Sequence, residues 1–340
     1  MENERIAIVG AGSWGTALSL LLADNGYDVD LWVYEQDLCA RMNETRENTV
    51  FLPGYQIPGK VHPSNSLADV VRDKDVVLVV VPTHVARSTA LQLAPLLRPD
   101  CLVINAGKGI ENDSLCTVRQ IFEQTLPATC TLATLSGPTF AVEIARGVPS
   151  AIVAAAEMPE VAERMQNIFS CPRLKVFTST DPLGVEIGAA LKNVIAIATG
   201  IADGLGIGHN ARAALITRGL VEITRIGTAL GARPETFSGL SGLGDLVLTC
   251  TGDLSRNRTV GLKLGQGEKL AEITKNMKTV AEGILTVKSA YALKSKLNIQ
   301  AAIIEETYRV LYEEKPPQQA VEDLMQVRIS SEFAGVKGLK

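Results

Sequence analysis

Short apolar runs alternate with helical stretches through the first half of the chain. The run at 5–9 precedes a helical pattern at 14–25, and an alternating, strand-like segment follows at 29–33. Later apolar runs lie at 76–81, 101–105, 131–136, 150–154 and 174–177. Because strands that alternate with helices of this length usually pair in parallel, the pattern predicts a doubly wound α/β sheet.

The pattern changes after about Asp181. From 182 to 328 apolar residues recur at helical spacing without a convincing strand, and glycine-rich segments at 200–208, 239–244 and 265–267 predict breaks between helices. The predicted fold class is therefore α/β, with an N-terminal Rossmann-type doubly wound sheet over 1–188. An all-α C-terminal domain is expected over 189–332, followed by a tail at 333–340.

Composition and charge exclude several classes of partner. The chain has 33 basic and 37 acidic residues, a net charge of −4, and no dense Lys/Arg run, which argues against nucleic acid as a partner. We find no run of about 20 apolar residues and no signal peptide, so stable membrane insertion is not expected. Six scattered cysteines without a close pair favour reduced thiols in a cytoplasmic protein, without a metal site.

A glycine motif links the first strand to the first helix. The sequence Gly10-Ala-Gly12-Ser-Trp-Gly15 is G-x-G-x-x-G in the strand-to-helix context that gives this pattern meaning. The first glycine permits a tight turn, the second lets a pyrophosphate approach the backbone, and the third allows close helix–strand packing. The motif predicts dinucleotide binding over a glycine turn without a ligand, but it does not distinguish NAD, NADP and FAD.

The end of the second predicted strand bears on the choice of cofactor. Glu35 lies where a carboxylate would accept the ribose 2′-OH of NAD, unless it already belongs to the next helix. No arginine follows the strand to favour NADP. Tyr34 is either an adenine-stacking residue or an ordinary surface tyrosine. NAD and NADP both remain open.

Polar groups also follow the later strands. Lys108 lies between two glycines after the run at 101–105, where a compact positive charge suits a phosphate or a polarised carbonyl. The alternative is a solvated loop lysine. Thr139 follows the run at 131–136 and is predicted near a helix N-terminus, where it would contact an anion, cap the helix, or do both.

A single lysine interrupts an apolar helix at the start of the second half. Lys192, next to Asn193, is the only charged residue between Glu186 and Asp203. Burial lowers the pKa of a lysine, so Lys192 is a candidate general acid; otherwise it extends from the helix edge to water.

Two polar segments further along complete the candidate site. Asp245 follows a glycine-rich bend and would orient Lys192 or a substrate hydroxyl, with Thr249 one turn away, or simply cap its helix. Ser255, Arg256 and Asn257 open another helix with a cap, a guanidinium fork and an amide, which suits a phosphate dianion. The alternative is a capped helix with surface arginines.

Together these segments resemble the bacterial NAD(P)-dependent sn-glycerol-3-phosphate dehydrogenases over nearly the whole chain. The resemblance rests on an ordered set of motifs: GAGSWGTAL (10–18), NAGKGIE (105–111), LSGPTFAVE (135–143), ALKNVIAIATG (190–200), NARAALITRGL (210–220), SGLGDLVLTC (241–250) and SRNR (255–258). It implies reversible reduction of dihydroxyacetone phosphate to sn-glycerol 3-phosphate, the precursor of the glycerophospholipid backbone.

The resemblance also implies roles for individual residues. The positions that match the family's cofactor contacts are Ser13, Trp14, Ala141, Arg256, Val280 and Glu282, in addition to the glycine motif, Tyr34 and Lys108. The substrate positions are Lys108, Gly137, Thr139, Asn193, Asp245, Ser255, Arg256 and Asn257. Lys192 matches the proton donor and acceptor. The family's frequent basic residue near Tyr34 is missing, which argues against a strong preference for NADP.

Two alternatives to this interpretation stay open at the level of sequence. One is another two-domain dehydrogenase, of the 3-hydroxyisobutyrate or 6-phosphogluconate type. The other is a non-catalytic module that senses NAD(P). His62, His84 and His209 have no obvious acidic partner in sequence, so a histidine base is less favoured than the lysine. A homodimer is compatible with each interpretation.

Overall fold

The computed structural model describes residues 4–275, 277, 281–327 and 331–336. They form two compact units, the first made of Met1–Gly107 and Val118–Pro182, and the second of Lys108–Thr117 and Leu183–Lys340. The boundary expected at residue 188 is displaced because the helix that begins at Pro182 packs into the second unit's core. The loop 108–117 joins that unit because Ile110 is buried in the same core.

The first unit is built on an eight-stranded sheet in the order β10-β9-β8-β7-β6-β1-β2-β5, with β3 and β4 paired separately as a hairpin. The strands are β1 (Ile6–Val9), β2 (Val29–Trp32), β3 (Glu47–Asn48), β4 (Leu52–Gln56), β5 (Val61–Ser64), β6 (Val76–Val79), β7 (Leu102–Asn105), β8 (Thr131–Ser136), β9 (Ser150–Ala155) and β10 (Leu174–Ser179).

The predicted parallel sheet is confirmed for all neighbouring pairs but one. β8 and β9 are antiparallel, because the short connection between them holds only a five-residue helix, which reverses the chain instead of carrying it back across the sheet. The strand β5 was also not predicted from the sequence. Pro63 lies inside β5 and is tolerated because β5 is an edge strand.

Seven helices are described in the first unit, and apolar side chains from sheet and helices share one core. They are α1 (Ser13–Asp24), α2 (Gln36–Thr45), α3 (Leu67–Val71), α4 (Thr83–Leu93), α5 (Val118–Thr125), α6 (Ala141–Ala145) and α7 (Pro159–Phe169). The motif loop therefore joins β1 to α1 as predicted, next to the centre of the sheet.

The second unit is helical, and residues 183–327 and 331–336, apart from the gap at 276 and 278–280, contain no strand, as predicted. Its elements are α8 (Pro182–Gly204), α9 (His209–Ala229), α10 (Pro234–Phe237), a π-helix (Leu240–Gly244), α11 (Asp245–Thr251), α12 (Arg256–Gly265), α13 (Leu270–Lys275), α14 (Glu282–Lys296), α15 (Ala302–Tyr312) and α16 (Pro317–Gln326).

Helix α8 is the centre of the second unit's core. By length and composition it could cross a membrane, contrary to the expectation that no segment is long and apolar enough. However, 94% of its most apolar window is buried, and its apolar side chains belong to the core cluster of this unit. Its apolar character is therefore explained by its position as a core helix.

The backbones of α8 and α12 touch. The break predicted within 200–208 is confirmed, because α8 ends at Gly204 and α9 begins at His209. A Cβ on Gly200 would lie 2.1 Å from the carbonyl oxygen of Arg258, and one on Gly261 would lie 2.0 Å from that of Ile197. Gly204 and Gly265 repeat the contact one turn further on. Only glycines permit the two helix backbones to lie so close together. This close packing fixes the first turns of α12 against α8.

The start of the predicted C-terminal tail is attached to the second unit. Arg218 Nη1 donates to the carbonyl of Glu332 (2.6 Å), and Arg225 Nε donates to that of Ala334 (2.6 Å). Val336 is buried. The predicted free tail at 333–340 is thus wrong for 333–336, and residues 337–340 lie outside the described residues.

Candidate active site

The glycine loop of the first unit has the geometry that a dinucleotide requires. Gly10 has φ +118°, where a side chain would be strained, and a Cβ on Gly15 would lie 1.9 Å from the carbonyl oxygen of Gly10. Next to Gly12 a Cβ would meet no atom within 4 Å. No side chain caps the N-terminus of α1, whose first N–H groups lack helical partners. The loop therefore fits a pyrophosphate.

Ser13 and Trp14, the two residues after Gly12, differ in their side-chain hydrogen bonding. Ser13 Oγ donates its hydrogen to the carbonyl of Phe51 (2.6 Å), so its remaining donor is the backbone N–H. Trp14 Nε1 is buried and has no hydrogen-bond partner among the described residues. Because a buried donor without a partner is costly, Trp14 is consistent with a site that receives a polar ligand.

The end of β2 presents an exposed aromatic side chain. Tyr34 is 73% exposed and stands edge-on to Trp32, with ring centroids 5.7 Å apart. Glu35 is the N-cap residue of α2, but its side chain makes no capping hydrogen bond. Arg46, which directly follows α2 and is half-buried, donates to the carbonyls of Ile57, Pro58 and Val61. Its guanidinium is therefore committed to backbone.

The segment after β8 places Thr139 two residues before α6, near a helix N-terminus as predicted. Gly137 directly follows β8 and lies against β9, where a Cβ on Gly137 would be 2.8 Å from Ile152 Cα. The N-cap of α6 is Phe140, and Thr139 Oγ1 donates to the carbonyl of Gly137 (3.4 Å). Capping by Thr139 is therefore wrong. Ala141 is the first residue of the five-residue helix α6.

In the second unit, two lysines share one buried carboxylate. Asp245 is fully buried, and its Oδ1 accepts from Lys192 Nζ at 2.5 Å. Its Oδ2 accepts from Lys108 Nζ at 2.6 Å. Lys192 Nζ also donates to Thr249 Oγ1 (2.8 Å), whose hydroxyl donates to the backbone carbonyl of Asp245 (2.6 Å). We call these four residues the lysine–aspartate cluster.

Close packing of α8 against the π-helix at Gly188 brings Lys192 and Asp245 together. Lys192 is on α8, and a Cβ on Gly188, one turn earlier, would lie 2.8 Å from the carbonyl oxygen of Ser241. Ser241 belongs to the π-helix that leads directly into Asp245 at the start of α11. The predicted pairing of Asp245 with Lys192 is confirmed, as is the placement of Thr249 one turn later.

The electrostatics of the cluster favour a mobile proton. Burial lowers the pKa of Lys192 to about 8, while the carboxylate of Asp245 opposes this effect and the charge of Lys108 adds to it. With two cations and one anion, the charged cluster carries a net positive charge in a buried place. Such a place stabilises negative charge that develops on a bound oxygen atom.

The SRNR segment forms the N-terminus of α12 beside the cluster. Ser255 is buried and caps α12, accepting the N–H of Arg258 (3.2 Å). Asn257 Nδ2 donates to Asn193 Oδ1 (2.9 Å), and Asn257 Oδ1 accepts the N–H of Gly283 (3.0 Å). The N-termini of α12 and α14 are thus joined to α8 at the residue that follows Lys192.

The remaining predicted residues lie at these two helix starts. Arg256 is the first residue of α12 and is exposed. Glu282 is the first residue of α14; partial burial raises its pKa to about 7, against the lowering effect of Arg256 and the two lysines. Val280 lies outside the described residues.

Sequence reasoning missed a buried acid that holds α12 in place. The side chain of Asp203 is only 5% exposed and accepts from Arg258 Nε (2.8 Å) and Arg212 Nε (2.8 Å). It lies at the end of α8, so it ties the SRNR helix to the helix of Lys192. The second arginine of SRNR was the available signal for such a partner.

Comparison with known proteins identifies the family. The model of the NAD-dependent glycerol-3-phosphate dehydrogenase N-terminus matches residues 5–162, and that of the C-terminus matches residues 181–322. The chain belongs to the NAD-dependent glycerol-3-phosphate dehydrogenase family.

Individual relatives of this dehydrogenase family agree with the match. The glycerol-3-phosphate dehydrogenase [NAD(P)+] of Geobacter sulfurreducens is 54% identical over 326 residues, 95% of this chain and 97% of that protein. That of Syntrophobacter fumaroxidans is 48% identical over 330 residues, 96% and 97% of the two chains. The crystal structure of the Coxiella burnetii glycerol-3-phosphate dehydrogenase has a TM-score of 0.92 and 37% identity, and covers 95% of this chain and 99% of that one.

Proposed function

We infer that the chain catalyses the reversible NAD(P)H-dependent reduction of dihydroxyacetone phosphate to sn-glycerol 3-phosphate. The family match and the names of relatives about half identical in sequence support this activity. The observation that carries it is the buried lysine–aspartate cluster, joined through Asn193 and Asn257 to the SRNR helix start. A proton donor and an anion-binding segment are what reduction of a phosphorylated ketone requires.

Lys192 acts as the proton donor in this proposal. When bound, NAD(P)H supplies the hydride that reduces the ketone carbon. Asp245 and Thr249 take two of the three N–H groups of Lys192, which leaves the third to donate to the ketone oxygen. Lys192 gives its proton to the alkoxide as it forms, and the cluster's positive charge stabilises that oxygen. In the oxidative direction neutral Lys192 accepts the hydroxyl proton.

The phosphate of the substrate is bound at the start of α12. Arg256 supplies a guanidinium fork, the helix N-terminus supplies N–H groups, and Asn257 has a second amide hydrogen besides the one bound to Asn193. Because the phosphate does not react, its binding energy orients the ketone toward Lys192. Ser255 supports this segment as its cap, and we assign Lys108, Gly137 and Thr139 to the substrate on the strength of the resemblance alone.

In this proposal most of the cofactor contacts lie in the first unit, and the proton donor and the phosphate-binding segment lie in the second. The glycine loop, Ser13 and Trp14 hold the pyrophosphate region, Tyr34 packs on the adenine, and Ala141, Arg256, Val280 and Glu282 complete the contacts by resemblance. NAD and NADP are both accepted, in line with the family name. We further propose that the enzyme is a cytoplasmic homodimer and that its product supplies glycerophospholipid synthesis.

The two alternatives predict different behaviour. A sensing module would bind NAD(P)H without turnover and would not require the lysine–aspartate cluster. A 3-hydroxyisobutyrate or 6-phosphogluconate dehydrogenase would oxidise a hydroxy acid, whereas the family match here concerns glycerol 3-phosphate. NADH oxidation that depends on dihydroxyacetone phosphate, followed by the loss of NADH absorbance, distinguishes all three; its absence would refute the proposal.

Arg256 tests the phosphate assignment. We expect Arg256→Ala to raise KM for dihydroxyacetone phosphate and to lower kcat, because the lost contact both holds and orients the ketone. Dihydroxyacetone, which lacks the phosphate, should be a very poor substrate whose rate changes far less. Both ketones are compared at saturating cofactor. If the substitution slowed both equally, Arg256 would be a cofactor-binding or structural residue.

A further inference from the structure

Asn48 of the first unit is hydrogen-bonded to the glycine loop, to α1 and to its own hairpin. Asn48 has no exposed surface, and its Nδ2 donates to the carbonyl of Ala11 (2.8 Å) and to Thr16 Oγ1 (2.8 Å). Its Oδ1 accepts the N–H of Phe51 (3.0 Å). An asparagine amide offers two N–H donors and one carbonyl, so each of these groups is used.

The irregular hairpin β3–β4 directs Asn48 inward. The pairing register shifts between Glu47 and Asn48, and Arg46 before them has the left-handed conformation (φ 54°). Shifts of this kind re-aim a side chain. Arg46 is in turn held by three backbone carbonyls, so the start of the hairpin is anchored independently of the glycine loop.

The contact with Ala11 fixes the plane of one peptide in the motif. In a planar trans peptide the carbonyl of one residue and the N–H of the next point in opposite directions. Because Asn48 holds the Ala11 carbonyl on the buried side, the N–H of Gly12 is directed away from Asn48. The space beside Gly12 is open, as a pyrophosphate would require.

The hairpin makes a second connection to the same loop. Phe51, whose N–H is bound by Asn48, accepts the hydroxyl of Ser13 with its carbonyl (2.6 Å). A closed ring of hydrogen bonds thus runs from Ala11 through Asn48 and Phe51 to Ser13. It holds both the turn and the first residue of α1.

We propose that Asn48 is a positioning residue for the cofactor. It orients the Ala11–Gly12 peptide and the first turn of α1 so that their N–H groups converge on the dinucleotide pyrophosphate. The inference rests on the proposed function for the identity of the ligand. It predicts a defect in pyrophosphate binding, whereas contacts with adenine and the proton chemistry on Lys192 remain intact.

Asn48→Ala tests this role by direct binding. We expect the Kd of NADH, measured from its fluorescence enhancement on the whole enzyme, to rise at least tenfold, equivalent to about 1.4 kcal/mol. The inhibition constant of ADP-ribose, which contains the pyrophosphate, should rise by a similar factor. That of adenosine, which lacks it, should stay within twofold. At saturating NADH, kcat should stay within about threefold.

Asn43→Ala is the control for the loss of an asparagine that donates to two backbone carbonyls. Asn43 donates to the carbonyls of Cys39 (3.1 Å) and Pro63 (3.0 Å), and neither bond reaches the glycine loop; unlike Asn48, Asn43 is exposed. Its substitution should lower Tm without changing the Kd of NADH. If Asn48→Ala behaved in the same way, or if it weakened adenosine and ADP-ribose equally, Asn48 would have a structural role only.

A second variant covers the case in which Asn48→Ala does not fold. Thr16→Val removes the hydroxyl that accepts one N–H of Asn48 and leaves the helix intact, so a rise of about threefold in the Kd of NADH is expected. An unchanged Kd would overturn the proposal. Wild-type enzyme that bound no NADH would instead refute the proposed function, which keeps the two failures apart.

Discussion

Replacing Asp245 by asparagine tests how the cluster controls its proton. The substitution preserves shape and removes the only negative charge of the cluster, which lies 2.5 Å from Lys192 Nζ and 2.6 Å from Lys108 Nζ. Burial of Lys192 and its repulsion from Lys108 then act unopposed. Both effects disfavour the ammonium, so the pKa of Lys192 should fall further below its ordinary value.

The size of the effect follows from the geometry. At an effective dielectric constant of about 20, opposite charges 4 Å apart attract by about 4 kcal/mol, and 1.36 kcal/mol corresponds to one pKa unit. The asparagine retains a hydrogen bond, so we expect a loss of about 2.7 kcal/mol rather than the full amount, which moves the pKa of Lys192 further below its wild-type value of about 8. At pH 7.5 most of Lys192 would then be neutral, and we expect a loss of about 25-fold in the reduction rate.

The assay is the pH profile of kcat/KM for dihydroxyacetone phosphate between about pH 5.5 and 9.5. Because reduction requires protonated Lys192, the wild-type rate should fall as pH rises through about 8, and the Asp245→Asn rate should fall at clearly lower pH. Thr249→Val, which removes a hydrogen bond but no charge, should move the inflection much less. An inflection unchanged in Asp245→Asn would refute the electrostatic argument.

Three further outcomes are expected. Lys192→Met should lower kcat by at least ~10² with the Kd of NADH nearly unchanged, since it removes the proton and keeps the length; near-normal turnover would exclude a general acid at this position. Gly261→Ala should lower the free energy of unfolding in urea by about 3 kcal/mol or more, because the new Cβ would lie 2.0 Å from the carbonyl oxygen of Ile197. The control is Gly267→Ala, which should lower it by only about 1 kcal/mol, because Gly267 has φ +91° but open space around it. Finally, kcat/KM should favour NADPH over NADH by no more than about tenfold, because the Arg46 guanidinium is held by backbone carbonyls; a hundredfold preference would reveal a 2′-phosphate site elsewhere.

The parts of the fold that the sequence predicted are those set by local chemistry. The apolar runs of β1 and β6, the glycine motif and the helical period after Pro182 are legible within a dozen residues. The antiparallel pairing of β8 with β9 was not predicted, because the direction of a strand depends on how the connection before it crosses the sheet. The contact of Gly200 with α12 was not predicted for a related reason, since a glycine that admits a neighbouring helix looks the same in sequence as one that breaks a helix.

The candidate site divides along the same line. Lys192 stood out because no nearby residue on its helix is charged, and Arg256 stood out because it opens a helix. The partner Asp245 was predicted although it lies 53 residues further on, whereas the contact between Asp245 and Lys108, which are 137 residues apart, was not predicted. Asn48 reaches Ala11 across 37 residues from an irregular hairpin that has no periodic pattern. Contacts of this kind depend on tertiary structure, which propensity and spacing do not encode.

The chain passes between the two units three times, since Lys108–Thr117 leaves the first unit before Val118 returns to it. A gene fragment cut at residue 183 would encode every helix from α9 onward and still omit Lys108, one of the two counterions of Asp245. A single crossover that keeps the whole first unit of another protein therefore leaves the cluster without Lys108 of this chain. An exchange of the first unit that preserves the cluster must also retain Lys108–Thr117 from this chain.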